Sequence, residues 1–513
     1  MAAMFALATL FVAGCGKDDT GDNPIKDPDA EAPAIERFWF DTRNNPRMPS
    51  NLTCRIDDAT HAITATVEGS TPLIPGSCTL TPTFTVPEGQ TVYVNGARQW
   101  SGVSRVDFSH PVTYRVENVN GEVAEYVVTL SFPFTGLPVV SISTASGLPV
   151  TSKDAWSKAT ITIDGVGRYD NISAADIEIA GRGNSTWGYP KKPYKFKFDK
   201  RTGVLGMPEH KRWVLLANYI DRTLLRNDVA FHLGQQSGLA WTPHGVFVEL
   251  VLNGEHRGCY YLCEQIRIDE NRLPINEMPP YDEMAAGDDI TGGYILELDS
   301  YYDEVNKFRS AVRDLPVNVN TPDEDDIGAP QFAYIRDYFN EAEKVLYGDN
   351  WLDEATGYKN YIDIESFADI YLISELIYHY EWIHPKSAYF YKDRGGKLCA
   401  GPMWDYDWLT FTQESGWHCR NYMWYPRLFE DPAFRAMLKE RWRVLYPLFA
   451  ATGGYISSKS ETLKKSAAID RTMWANSDGP NDDRSMAYDA AVSLMIRRFN
   501  SRLEWLNGEI NAL

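Results

Sequence analysis

Gly401-Pro402-Met403-Trp404-Asp405-Tyr406-Asp407-Trp408 sets two carboxylates two residues apart among three large aromatic side chains. The stretch follows a hairpin pattern: Ala388 to Tyr391, a turn at Arg394-Gly395-Gly396-Lys397, then Leu398 to Met403. In an extended segment side chains alternate with period two, so Asp405 and Asp407 are expected to point the same way. Two convergent carboxylates form a hard-oxygen site suited to Mg²⁺. The flanking Trp404, Tyr406 and Trp408 predict partial burial. Buried paired carboxylates need a cation or a shared proton.

Two segments upstream carry further chemistry. Ile364, Phe367, Ala368, Tyr371, Leu372 and Leu376 recur at helical spacing, which predicts a helix ending near Tyr380. Glu381 lies just past that end, in a loop running through His384-Pro385-Lys386-Ser387. Pro385 disfavours helix at His384, and loops held between rigid elements commonly carry catalytic groups. Earlier still, Arg182-Gly183-Asn184-Ser185-Thr186-Trp187-Gly188 reads as a turn whose backbone N–H groups can approach phosphate oxygens. Lys191, Lys192 and Lys195 follow it and can supply positive charge to the same phosphates. A surface hairpin with solvated lysines fits this pattern equally well.

The 513 residues exceed one ordinary hydrophobic core and predict at least two domains. The formal charge of −20 argues against a general nucleic-acid binder, which needs a basic face. Met4 to Ala13 is an apolar run too short to span a bilayer, followed by Gly14-Cys15. This is the pattern of a signal peptide. Residues 16–33 are polar and acidic and read as a tether. From 34 to 134, short alternating runs such as 62–67, 91–94, 112–116 and 125–130 predict a β-sandwich. Within it, Cys54 and Cys78 are the expected disulfide pair if the compartment is oxidising. Cys259 and Cys263, four apart in an expected strand, read as buried thiols. Residues 135–513 pass from strands, through an expected helix at 222–236, to a helical C-terminal part. The acidic stretch 321–328 reads as a solvated loop.

The order of these parts is that of a protein kinase: turn, lysines, helix, strands, helix, acid-bearing loop, hairpin, acid pair. The chain has no Gly-x-Gly-x-x-Gly, His-Arg-Asp or Asp-Phe-Gly, which excludes an ordinary kinase. It resembles instead the CotH (spore coat protein H-like) kinase family over about 135–510. The resemblance rests on Arg182 to Thr186 with Pro190 to Tyr194, on Leu205-Gly206-Met207, and on Trp213 to Asn218. Leu224-Leu225-Arg226-Asn227, Phe247 to Leu250, Gly292-Gly293-Tyr294 and Gly401 to Asp407 extend it. It implies an α+β chain, with an atypical kinase-like domain behind a small all-β sandwich. It also implies ATP with Mg²⁺ or Mn²⁺ as cofactors and a Ser/Thr protein as substrate.

Carried over residue by residue, Lys192 looks like the phosphate-contacting lysine, with Lys191 and Lys195 as rivals and Arg182 and Asn184 nearby. Asp405 looks like the metal-binding acid and Asp407 its helper. Glu381 stands where the family usually has an Asp as base, and one extra methylene displaces its carboxylate. His379 and His384 are alternative bases, and Ser387 falls where a second metal ligand is expected. Cys15 resembles the lipidated residue of a lipobox. Gly16-Lys17-Asp18-Asp19 resembles the export tag of Bacteroidetes-type surface lipoproteins, and 34–134 resembles an immunoglobulin-like module. These likenesses imply an outer-membrane or cell-surface protein held to the membrane by lipid alone. The alternative is a non-catalytic surface lipoprotein, a pseudokinase with an adhesive, structural or glycan-related role.

Overall fold

The computed structural model describes residues 26–46, 48, 50–67, 78–132, 134–284, 289–475 and 479–513. Cys15, the apolar run before it and the Lys-plus-acidic tag lie outside the described residues. The chain divides into two compact units, with the boundary at Phe132/Pro133. Both helices and sheets build the protein, and its N-terminal region is all β.

In the first unit a three-stranded sheet (Leu52–Thr53, Arg37–Phe40, Pro82–Thr85) accompanies a six-stranded one. The six-stranded sheet runs Arg55–Asp57, Ala62–Thr66, Val123–Ser131, Val112–Glu117, Thr91–Val94, Ala97–Arg98. Alternation does the sorting: along Val112–Glu117, Val112, Tyr114 and Val116 are buried while Thr113 is exposed. Aromatic rings join the two sheets, with Phe38 edge-on to Tyr114 at 5.2 Å. The expected Cys54–Cys78 disulfide is not formed. Cys54 follows the Leu52–Thr53 strand, whereas Cys78 precedes Thr79–Leu80 in a separate two-stranded sheet. Each is a buried thiol, and burial pushes that of Cys54 up to about 12.

The second unit opens with a closed seven-stranded barrel. Its order is Val139–Thr144, Ser157–Asp164, Ile172–Gly181, Tyr194–Val204, Met207–Leu216, Glu255–Glu264, Gly245–Leu252. The last strand pairs in parallel with the first. Ile161, Ile179, Phe196, Trp213, Leu250 and Leu262 meet in one buried cluster. The alternate side chains Val214, Phe247, Cys259, Tyr261 and Cys263 join a second, larger core shared with the helices. Strands buried on both faces are nearly continuous apolar runs, as at 246–252, where the one polar residue, Glu249, is paired with His256 and accepts from the Ser466 hydroxyl. A five-stranded sheet follows, ordered Lys307–Arg309, Pro316–Thr321, Tyr294–Leu298, Ala388–Lys392, Leu398–Ala400.

Seven helices complete the description: α1 (Arg226–Gln235), α2 (Ala329–Tyr347), α3 (Ile364–Leu376), α4 (Tyr425–Leu428), α5 (Pro432–Phe449), α6 (Thr452–Met473) and α7 (Tyr488–Ala512). Among the described residues no helix is long and apolar enough to cross a membrane. Helix α3 is buried from Ser366 to Leu376, as an apolar central helix must be. Asp363 caps its start by accepting a hydrogen bond from Ser366 N. It stops at Leu376, four residues before the expected end. There Arg502 of α7 donates to the Glu375 and Leu376 carbonyls, satisfying groups that helical bonds would otherwise use. Tyr378 then turns left-handed (φ +55°), and a 3₁₀ turn, Tyr380–Ile383, carries Glu381.

Helix α1 also differs from the expected 222–236. Asp221 accepts from Thr223 N and the Thr223 hydroxyl, and Leu224 is left-handed (φ +63°), so helix begins only at Arg226. Arg226 is 1% exposed. Its guanidinium pairs with Asp221 and Asp483 and donates to the Thr410 carbonyl. Removing one member of a buried ion group leaves the others uncompensated, at a cost of about 3–5 kcal/mol. Arg226→Ala is therefore expected to lower the denaturant midpoint of the larger unit by that equivalent. Arg226→Met combined with Asp221→Asn and Asp483→Asn should recover most of the loss, as measured by urea unfolding.

Candidate functional site

Asp405, Tyr406 and Asp407 do not continue the hairpin as a strand. Pairing ends at Ala400, and Asp405 is left-handed (φ +63°), a conformation that costs a non-glycine residue energy and needs support from its surroundings. That support is a set of hydrogen bonds from distant segments. Asn227 Oδ1 accepts from Tyr406 N at 2.7 Å. Asn481 Nδ2 donates to the Asp407 carbonyl at 2.9 Å, and its Oδ1 accepts from Leu409 N at 2.8 Å. Asp405 and Asp407 both border one small cavity of about 20 Å³. That is room for about one water or ion. Arg182, Thr186, Tyr189, Lys191, Asn218 and Asn227 also border it.

Burial raises Asp405 above its usual carboxylate range, while the nearby Arg182 guanidinium pulls it down. Burial and repulsion from Asp405 raise Asp407 well above its usual value. Glu381, 6% exposed, is raised by burial first and then by Asp405 and Asp407. Its Oε2 is buried without a hydrogen-bond partner among the described residues. The Ser387 hydroxyl donates weakly to Asp405 Oδ2 at 3.4 Å. Next to these acids, burial pushes Asp299 up to about 6, and burial together with Asp299 pushes Glu297 up to about 8. Several buried carboxyl groups thus share few nearby cations, and burial favours their protonated form. Among the described residues no three His, Cys, Asp or Glu side chains form a ready-made metal cage. Two Asp residues bordering an ion-sized space are hard-oxygen groups of the kind a divalent cation accepts, and Glu381 lies outside the lining of that space.

Arg182 also lines a second cavity, of about 510 Å³, the size that holds a small-molecule ligand. Its guanidinium lies over the Trp404 ring at 5.3 Å. Lys195, Arg212 and Arg267 add basic groups to the lining of the large cavity. Val214, Ile266, Ile295 and Val319 are its apolar lining. Asp323, Glu324 and Asp325 border it too, so the acidic stretch 321–328 is part of the cavity rim as well as a surface loop.

The three lysine rivals have different surroundings. Lys195 stands on the outward face of Tyr194–Val204, between inward Tyr194 and Phe196, and lines the large cavity; burial lowers its pKa. Lys192 donates to the Trp187 carbonyl at 2.6 Å and borders neither of these two cavities. Lys191 is fully buried, pairs with Asp470 of α6, and donates to the Cys259 carbonyl at 2.6 Å. Asn184 is exposed and accepts from Lys153 at 3.2 Å. The turn itself is tight: at Gly183 (φ +82°) a Cβ would come within 2.0 Å of the Thr186 hydroxyl. His379 is buried between Trp382 and Tyr406 and held neutral, its pKa pushed down to about 3 by burial. His384 is exposed.

Sequence reasoning overlooked Glu297, Asp299, Asn320, Arg212 and Arg267. They lie on scattered strands and loops, and nothing in their local sequence marks them. Asn227 and Asn481 were missed as supports for the same reason, since a 179-residue separation divides Asn227 from Tyr406.

Raised carboxyl values have a consequence for stability. A carboxyl whose folded-state pKa exceeds its unfolded value contributes stability below the unfolded value and loses it as pH rises through the folded one. For Asp299 that window runs from 3.8 to about 6, and for Glu297 from 4.5 to about 8. Glu381 loses its contribution from 4.5 upward. Without divalent cations, Glu381→Gln should thus gain stability relative to the unsubstituted protein as pH rises. The gain should approach about 1.4 kcal/mol per pH unit while Glu381 titrates, read from denaturant melts at pH 5 to 9.

No curated protein matches the chain. A family model described as SGBP, N-terminal, matches residues 47–130, within the all-β region. A second, described as CotH kinase protein, matches residues 179–506, which include the barrel strands from Tyr194 onward, the small cavity, all of the large cavity's lining except Trp156, and the acid-bearing loop. That match covers more than half of the sequence, and the chain belongs to the CotH kinase protein family.

Proposed function

We propose that this protein is an atypical Ser/Thr protein kinase that uses ATP with Mg²⁺ or Mn²⁺, built on a kinase-like arrangement of barrel and helical parts. The observation that carries the reading is the junction at Arg182. This one cation borders both the ligand-sized cavity and the small cavity lined by Asp405 and Asp407. A polyphosphate needs that juxtaposition, with cationic side chains along its length and a carboxylate-held cation at its reacting end. Arg182 and Lys195 are the phosphate contacts in this reading. Asp405 and Asp407 hold the cation, which when bound would neutralise phosphate charge and offset the repulsion among the acids. The Ser387 hydroxyl steadies Asp405.

Glu381 is the base, taking the acceptor hydroxyl's proton on Oε2, which has no partner among the described residues. It can do so only when ionised, and a neighbouring cation favours that state. His379 takes no part, because its imidazole is packed behind Tyr406. The reading places the protein at the cell surface, anchored by lipid on Cys15 and spaced by an immunoglobulin-like first domain. The match to an SGBP N-terminal region favours a second reading, a surface lipoprotein that handles glycans without phosphate transfer.

Transfer of label from γ-³²P-ATP to a Ser/Thr-rich acceptor protein, measured with Mg²⁺ or Mn²⁺, separates the two. Asp405→Asn should reduce transfer by about 100-fold or more, in line with the loss of a charge-stabilising group at a reacting centre. Absence of both ATP binding and transfer in the unsubstituted protein, with polysaccharide binding present, would establish the second reading. The stabilisation conferred by Mn²⁺ should be larger at pH 8 than at pH 6, because the acids must shed protons to bind it.

A further inference from the structure

Four basic side chains line the 510 Å³ cavity, Arg182, Lys195, Arg212 and Arg267, and they crowd one another. Burial lowers the pKa of Lys195, and Arg182, Arg212 and Arg267 lower it further. That of Arg212 is lowered by burial and then by Arg267, and drawn back up by Asp323. Among the described residues only one of the four is held in an ion pair. Arg267 Nη1 donates to Asp323 Oδ1 at 3.0 Å. Asp323 lines the same cavity, so the pair belongs to its wall. Both partners keep contact with solvent, with side-chain exposures of 24% and 47%. Ion pairs that exposed are weak and exchange partners readily. The contact also runs through a single guanidinium nitrogen, whereas a phosphate can engage two at once.

Asp323 sits in the acidic stretch 321–328. Its backbone carbonyl accepts from Asp326 N and Ile327 N, which builds the turn before α2 without the side chain. The carboxylate takes no part in that turn, and Arg267 is its one ion-pair partner among the described residues. The geometry points to Arg267 as a further contact for the ligand's phosphate chain, with Asp323 as the internal counter-ion that the phosphates displace. This rests on the nucleotide reading above and adds to it. Without a ligand, Asp323 offsets the repulsion between Arg267 and Arg212. When a polyphosphate enters, its oxygens take over that task, and the Asp323 carboxylate turns to solvent. The exchange favours ligands with enough negative charge to replace a carboxylate, a nucleoside triphosphate over a monophosphate.

The test is equilibrium binding of inorganic triphosphate and of ATP to the full chain with Mn²⁺ present at low ionic strength. Asp323→Asn keeps the backbone turn and removes the competitor. It should bind both probes about three- to tenfold more tightly, the effect of one unit charge a few ångströms away near a protein surface. Glu324→Gln removes the same charge from the cavity lining without touching the pair, and should change either affinity by less than about twofold. In an Arg267→Gln background, Asp323→Asn should also have less than about a twofold effect, because the cation it competes for is gone. Unchanged or weaker binding by Asp323→Asn, where the unsubstituted protein binds ATP, would overturn this inference and leave the nucleotide reading intact. An equal gain from Glu324→Gln would overturn it too, since rim charge in general would then set affinity. Failure of every form, Asp323→Asn included, to bind either probe would overturn the nucleotide reading and this inference together.

Discussion

A single buried cation, Arg226, ties together the parts of the larger unit that matter for chemistry. It satisfies Asp221 in the turn before α1, Asp483 in the segment before α7, and the Thr410 carbonyl beyond the acid pair. In a low-dielectric interior such a charge is tolerated only with its partners in place. Three segments, distant in sequence, are therefore held at one point. Asn227, the next residue, holds the Tyr406 backbone, and Asn481 holds Asp407 and Leu409. The left-handed turn at Asp405 persists because these contacts fix the backbone on either side.

A second buried pair works at the other end of the site. Glu375 and Arg502 join the end of α3 to α7, and Glu375 also accepts from the backbone of His418 and Arg420. The helix ends there, so Glu381 comes forward on its own 3₁₀ turn. Lys191 with Asp470 fixes α6 to the end of the Arg182 turn in the same manner. Three buried ion pairs thus fix the segments that carry the candidate site residues. Against them stands an acid cluster left short of positive charge. Fold and candidate site use the same chemistry with opposite balance: charges are paired where structure is held and carboxyls are crowded at the candidate site.

Much of this was legible in the sequence. Periodicity placed α3, the Gly245–Leu252 strand and the start of the hairpin at Ala388, whose second strand ends at Ala400 and not at the expected Met403, because amphipathic and doubly buried elements write their surroundings into local order. The all-β character of the first region followed from short alternating runs between turn residues. Proximity of Asp405 and Asp407 followed from spacing, although the expected extended geometry was wrong, since a left-handed residue is invisible to a period-two argument. The Cys54–Cys78 pairing failed for a related reason: membership of one domain says nothing about which sheet each cysteine joins.

The sequence by itself determined which chemical groups the protein has and, through ordered motifs, the family to which it belongs. Local spacing and burial patterns are enough for that. Tertiary structure alone decided which groups meet. It put Lys195 rather than Lys191 or Lys192 on the large cavity, buried Lys191 against Asp470, and added Glu297, Asp299 and Asn320 to the site. Those outcomes depend on the desolvation of charges and on contacts across tens to hundreds of residues. Neither quantity exists until the chain has closed on itself.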